Sequence, residues 1–132
     1  MWFCKKCNGK SKAEKKIEIY RAPYYLIIQL RRFKKKKNSS GKTILANKNE
    51  TFIEYKEILN LKEFVIGPDK DKYIYDLYGV VLHKKFMNTH YISYCNNLGV
   101  WICYDDNNEL KVIENITNKD AYLLFYKRRI YD

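Results

Sequence analysis

The stretch His90-Tyr91-Ile92-Ser93-Tyr94-Cys95-Asn96-Asn97-Leu98-Gly99-Val100-Trp101-Ile102-Cys103-Tyr104-Asp105-Asp106 reads as two β-rich runs around an Asn/Gly turn, the pattern of a β-hairpin. A tight turn between Asn97 and Leu98 predicts a register in which His90 lies opposite Asp105. The same register sets Tyr91 against Tyr104, Ile92 against Cys103 and Tyr94 against Trp101. Directly opposed side chains sit about 4.5–5.5 Å apart at Cβ, within reach of a hydrogen bond from imidazole Nδ1–H to a carboxylate. Histidine is the side chain that titrates nearest neutrality, and an imidazole held by a carboxylate can act as general base for a thiol or hydroxyl. The plainer alternative is a polar pair at the mouth of an ordinary hairpin. Asp106, one residue on, is expected opposite Thr89 with its side chain on the other face of the sheet.

Outward from the hairpin, three stretches between Tyr73 and the C-terminus are rich in β-branched and aromatic residues and separated by Asn- and Gly-containing turns, which predicts an antiparallel sheet. Ile17 to Phe33 reads as strand with a break at Pro23. Lys34 to Asn49 reads as a loop, with four consecutive lysines and Asn38-Ser39-Ser40-Gly41. Thr51 to Val65 fits either a short helix or an irregular segment. Met1 to Lys16 is a basic ribbon carrying Cys4 and Cys7. The expected class is α+β, β-rich, in one domain spanning 1–132.

The composition narrows the function classes. With 132 residues, 16% of them aromatic, the chain can bury a core and is no disordered tail. No apolar run is long enough to span a membrane. A net charge of +11 invites a polyanion partner. The lysines, however, fall in flanking ribbons and one loop, and no nucleic-acid-binding signature is present, which makes nucleic acid a runner-up partner. Cys4 and Cys7 have the spacing of half a tetrahedral zinc site. Cys95 and Cys103 read as small buried hydrophobes, and Cys95 points away from His90 because alternate strand positions face opposite ways. A metal-type pair without a leader sequence favours the reducing cytosol or nucleus.

Five segments in order also resemble the ubiquitin-specific proteases. They are Cys4-Lys5-Lys6-Cys7; Pro23 to Phe33; Tyr75 to His83; His90-Tyr91 followed by Trp101 to Asp106; and Ala121 to Arg128. The resemblance covers essentially the whole chain and implies the palm of a papain-like cysteine protease fold over 21–132. It further implies a remnant of the zinc fingers over 1–20 and a thumb that is absent. It makes His90 the catalytic base, Asp105 its orienting residue, with Asp106 beside it, and ubiquitin the substrate, with Tyr91 and Thr89 lining the channel for its tail. Cys4 and Cys7 would be zinc ligands. No Asn-Gly-rich box with a nucleophilic cysteine occurs, so the resemblance implies the C-terminal half of the enzyme, inactive alone and completed by a separate chain or upstream segment. Lys85 and Thr89 stand where the family carries glycines, which would narrow the channel and leaves open an inactive ubiquitin-binding or assembly scaffold. His83 is expected to be a structural, hydrogen-bonded histidine.

If the lysine run is a solvated surface, replacing Lys34 to Lys37 with serine should change stability by no more than roughly half a kcal/mol, as surface substitutions do, read from the urea midpoint.

Overall fold

The computed structural model describes residues 1–85, 89–106 and 108–130. Eleven strands are assigned: β1 (Trp2–Cys4), β2 (Gly9–Ser11), β3 (Tyr25–Gln29), β4 (Phe33–Lys37), β5 (Thr43–Lys48), β6 (Ile58–Asn60), β7 (Ile74–Lys85), β8 (Thr89–Asn97), β9 (Val100–Tyr104), β10 (Lys111–Val112) and β11 (Ala121–Arg128). The helical content among the described residues is one 3₁₀ turn, Lys70–Lys72. The chain is thus β-rich, with antiparallel sheets and almost no helix.

Seven strands form one sheet in the order β10-β9-β8-β7-β11-β3, with β6 also paired to β7. The twelve-residue β7 is its axis, paired with β6 over Ile74–Asp76, with β8 over Gly79–Lys85 and with β11 along Tyr75–Leu82. Two small hairpins, β1–β2 and β4–β5, lie outside it.

The core occupies one face. Val80 and Leu82 of β7, Ile92 of β8, Trp101 of β9 and Leu124 and Tyr126 of β11 are buried there, and Ala22, Tyr55, Leu61, Val65 and Ile116 from the connecting segments are buried in the same cluster. Alternation with period two places these residues together. Three buried tyrosines tie the connections down through their hydroxyls: Tyr55 donates to the carbonyl of Ile116 at 2.5 Å, Tyr75 to Pro23 at 2.5 Å and Tyr126 to Lys56 at 2.8 Å. Burial pushes the phenols of Tyr55 and Tyr126 up to about 12, so both remain donors at any physiological pH.

Two segments differ from expectation. Thr51 to Val65 is neither helix nor wholly irregular, because Ile58, Leu59 and Asn60 pair with β7. Lys34 to Asn49 is a hairpin rather than a loop. Its turn does use Asn38-Ser39-Ser40-Gly41: Gly41 takes φ 75°, and the Asn38 side-chain oxygen accepts from Ser40 Oγ at 2.9 Å and from the Lys42 amide at 2.8 Å. Backbone pairing between Lys35–Lys37 and Thr43–Leu45 outweighs the poor strand propensity of lysine.

This hairpin is anchored by cations in the interior. Lys48 Nζ donates to the carbonyl of His83 and pairs with Asp120 Oδ1 at 2.6 Å. Arg32 Nε donates to Ala121 O at 2.6 Å, and its NH1 donates to Asn49 O and Thr51 O at 3.0 and 2.8 Å. Both side chains are buried.

Arg32→Met should therefore cost on the order of 3 kcal/mol, since one buried and two part-buried hydrogen bonds to carbonyls are lost, in contrast to the near-neutral effect expected for the lysine run. Gly67→Ala should cost about 1–3 kcal/mol, because an added Cβ would lie 2.1 Å from the Tyr20 carbonyl oxygen. Urea denaturation measures both, and an unchanged midpoint for Arg32→Met would contradict the anchoring role.

Candidate active site

The β8–β9 hairpin closes through a two-residue turn at Leu98-Gly99, whose φ values are 52° and 91°, the mirror-image turn that matches strand twist. The Asn96 side-chain oxygen accepts the Gly99 amide at 2.8 Å. With the turn one residue later than expected, the pairs are Asn97↔Val100, Asn96↔Trp101, Cys95↔Ile102, Tyr94↔Cys103 and Ser93↔Tyr104. The predicted register was wrong by two positions. An even slip preserves the faces, because side chains alternate with period two. His90 therefore still shares a face with Asp105, now as a diagonal rather than a direct neighbour, and diagonal neighbours lie within reach of long side chains.

The contact forms at 2.5 Å between His90 Nε2 and Asp105 Oδ1. It uses Nε2, not the expected Nδ1. An ionised carboxylate can only accept, so Nε2 carries the proton, and in the neutral form of the ring Nδ1 holds the lone pair. The Asp105 carboxyl pKa is lowered, chiefly by the hydrogen bond from His90, with further help from Asn108 and the Lys84 charge. Lys84, which sequence reasoning missed, stands opposite His90 on β7. After β9 the chain turns sharply: the Asn108 amide donates to the Asp105 carbonyl at 2.9 Å, and Asp106 takes a left-handed φ of 46°. That turn breaks the strand alternation. The Asp106 carboxylate, 75% exposed, lies 3.5 Å from His90 Nδ1 instead of on the far side opposite Thr89.

Tyr91 pairs with His83, not with Tyr104. Its half-exposed ring lies 4.8 Å from His83 and 6.3 Å from Tyr122, and Phe33 closes on His83 at 5.0 Å. His83 is buried, and its Nδ1 has no hydrogen-bond partner, contrary to the expected hydrogen-bonded role. Burial, then the Lys48 charge, lowers its pKa, so it remains neutral and serves as an aromatic wall. Thr89 is placed through its backbone, paired with Lys85.

Cys4 and Cys7 flank the β1–β2 turn as free thiols. Backbone and side-chain hydrogen bonds from Cys7, and the Lys6 amide, lower the Cys4 pKa. Amides aimed at sulfur suit a thiolate metal ligand. The donor set fits half of a tetrahedral zinc site, and among the described residues no third metal-binding side chain joins it. Cys95 and Cys103 pair with Ile102 and Tyr94, and burial raises the Cys103 thiol pKa. A thiol pushed up in this way, as at Cys103, is the reverse of an activated nucleophile.

The depressed Asp105 pKa makes the hairpin acid-sensitive. Its contribution is present above the unfolded carboxyl value of about 4 and is lost as pH falls through the lower folded value. The stability difference between the natural chain and Asp105→Asn should thus shrink as pH falls from about 4 through the lower folded value. A difference that grew as pH fell below about 4 would contradict the assigned pairing.

A family model described as "Ubiquitin carboxyl-terminal hydrolase" matches residues 2–126. The chain is 35% identical over 133 residues to ubiquitin carboxyl-terminal hydrolase 4 of Bos taurus, covering 97% of this chain and 13% of that protein. It is 34% identical over 140 residues to ubiquitin carboxyl-terminal hydrolase 8 of Saccharomyces cerevisiae, covering 97% and 29%. Among solved structures, the SAGA Ubp8/Sgf11/Sus1/Sgf73 DUB module bound to ubiquitin aldehyde superposes with a TM-score of 0.74 at 32% identity, covering 99% of this chain and 30% of that one. The chain therefore spans less than a third of the length of these relatives. With the family model matching residues 2–126 and these relatives matching nearly the whole chain, the chain belongs to the ubiquitin carboxyl-terminal hydrolase family.

Proposed function

We propose that this chain supplies the base and its orienting carboxylate to a deubiquitinating cysteine protease whose nucleophilic cysteine lies outside these 132 residues. The observation that carries this reading is the 2.5 Å contact from His90 Nε2 to Asp105, which leaves the Nδ1 lone pair free to take a thiol proton. In the reaction the cysteine S–H gives its proton to Nδ1, and the thiolate attacks the carbonyl carbon of the ubiquitin C-terminal residue. The C–N bond then breaks as Nδ1–H protonates the leaving amine. Water, deprotonated at Nδ1, attacks the thioester and releases the ubiquitin carboxylate, and the thiolate recovers the proton. Asp105 holds the ring and stabilises the imidazolium in each half. Asp106 lies on the Nδ1 side, its exposed carboxylate 3.5 Å from the ring.

Tyr91 and Thr89 would border the path of the ubiquitin tail, Tyr91 as the exposed member of the wall with His83, Phe33 and Tyr122. In this reading residues 21–132 are palm and residues 1–20 the stump of the fingers. Cys4 and Cys7 would hold one side of a structural zinc, whose chemistry is to cross-link two ribbons and whose other cysteine pair, like the thumb, comes from an upstream segment or separate chain. The site of action would be the cytosol or nucleus. No helix of the described residues is long and apolar enough to cross a membrane.

The chain alone should show no turnover of a ubiquitin C-terminal fluorogenic amide. Fused to a Cys-bearing half of a relative, it should gain turnover that His90→Ala removes by at least about 10³-fold. Asp105→Asn should cost about 10²-fold and Asp106→Asn less. Activity of the chain alone that survived Cys95→Ser and Cys103→Ser would refute the proposal. Ubiquitin binding without turnover in the fused protein would point instead to a scaffold, the alternative raised by Lys85 and Thr89.

A further inference from the structure

The sheet face opposite the core carries a feature that hydrolysis at His90 does not use. Tyr25 of β3 and Lys127 of β11 are paired, and Lys127 is paired in turn with Asp76 of β7. Around this rung, four aromatic rings run edge to face across the three strands: Tyr24 to Tyr25 at 4.8 Å, Tyr25 to Tyr78 at 6.2 Å and Tyr78 to Phe125 at 6.1 Å. Tyr25 and Tyr78 are 56% and 38% exposed, a large open area for tyrosines in a regular sheet.

Cations border the ladder. Lys127 Nζ lies 5.9 Å from the Tyr24 ring centre, and the Arg128 guanidinium lies 5.7 Å from Tyr24 and 5.5 Å from Tyr73. The local acids are already engaged, Asp76 by Arg129 at 2.6–3.0 Å and Asp69 by Lys72 at 3.2 Å. Among the described residues, Lys127 and Arg128 have no carboxylate partner. They line a cleft of about 500 Å³ together with Tyr24, Tyr78, Asn96 and Arg129, and a second cleft of about 310 Å³ shares Arg128 and Arg129. Both volumes lie within the range of ligand clefts, roughly 300–1,000 Å³.

We propose that this face binds single-stranded nucleic acid, with bases stacked on Tyr25 and Tyr78 and phosphates held by Lys127 and Arg128. Exposed aromatic faces beside uncompensated cations are the two elements of sequence-tolerant single-strand binding. An acidic peptide would need only the cations and would leave the rings unused. A duplex keeps its bases stacked on one another and cannot lay them on the tyrosines. The net charge of +11 adds long-range attraction for a phosphate backbone. The site lies toward the opposite end of β7 from Lys84 and the His90 pair, six to eight residues along the strand, or roughly 20 Å. Occupancy of one site therefore leaves the other open.

Fluorescence polarisation of a labelled twelve-nucleotide oligo-dT with the 132-residue chain tests this. Binding should be detectable at 50 mM salt and weaken toward 200 mM with a log–log slope near −1.4, as two phosphate contacts predict at about 0.7 each. Tyr25→Ala should weaken binding about ten-fold. Lys127→Gln should reduce the magnitude of the slope by about 0.7. Both residues are solvent-facing, and circular dichroism checks that each variant keeps its fold. No binding at 50 mM salt would overturn the proposal. So would equal affinity for a duplex of the same length, equal competition by poly-glutamate, or binding that ignores both substitutions and disappears when Lys34 to Lys37 become serine.

Discussion

The backbone pairing of β7 is the constraint on which the rest of the structure depends. β7 is paired with β6 over Ile74–Asp76, with β8 over Gly79–Lys85 and with β11 along Tyr75–Leu82, so the registers of all three are set against one strand. β9 and β3 follow at one remove. Pairing on both sides leaves few backbone groups of β7 to seek water, and period-two alternation then sends Val80 and Leu82 into the core. The same alternation lifts His83 to the opposite face and brings Lys84 level with His90. The position of the His90 imidazole thus follows from the register of β8 against β7.

The electrostatics around that imidazole come from chain geometry more than from the choice of side chains. Asp105 and Asp106 are adjacent in sequence but meet opposite nitrogens of one ring. The first leaves the end of β9 still in strand phase, and the second has swung into the left-handed region. One carboxylate fixes the tautomer through a short hydrogen bond in a half-buried setting. The other, exposed and at 3.5 Å, acts through charge alone and is screened by solvent. Two identical side chains acquire two roles from one backbone turn.

Interior cations show the same dependence on context. Lys48 and Arg32 sit in the most basic part of the chain yet are buried, one against Asp120 and a carbonyl, the other against three carbonyls. Their neighbours Lys36 and Lys37 are exposed. Arginine tolerates burial among carbonyls because its fork of donors can satisfy several acceptors at once without losing its charge. Through these two residues the β4–β5 hairpin is fastened to the strands that carry His83 and Tyr122, and Phe33 completes the aromatic wall behind Tyr91.

The sequence by itself determined the antiparallel sheet, the β8–β9 hairpin, the partnership of His90 with Asp105 and the family, because alternation of β-branched and aromatic residues, Asn/Gly turn chemistry and residue order are local properties. The tertiary structure decided what depends on pairing and burial. It moved the β8–β9 turn by one residue and the register by two, a slip that hydrophobic alternation cannot detect since the faces are unchanged. It made Nε2 the contacting nitrogen and brought Asp106 to Nδ1, because a left-handed residue at a strand end has no signature in composition. It also selected Lys48 from a run of like residues, turned the lysine-rich loop into a hairpin and left His83 Nδ1 buried without a partner. For Lys48 the deciding contact, Asp120, lies 72 residues away in the chain, and only folding brings the two together.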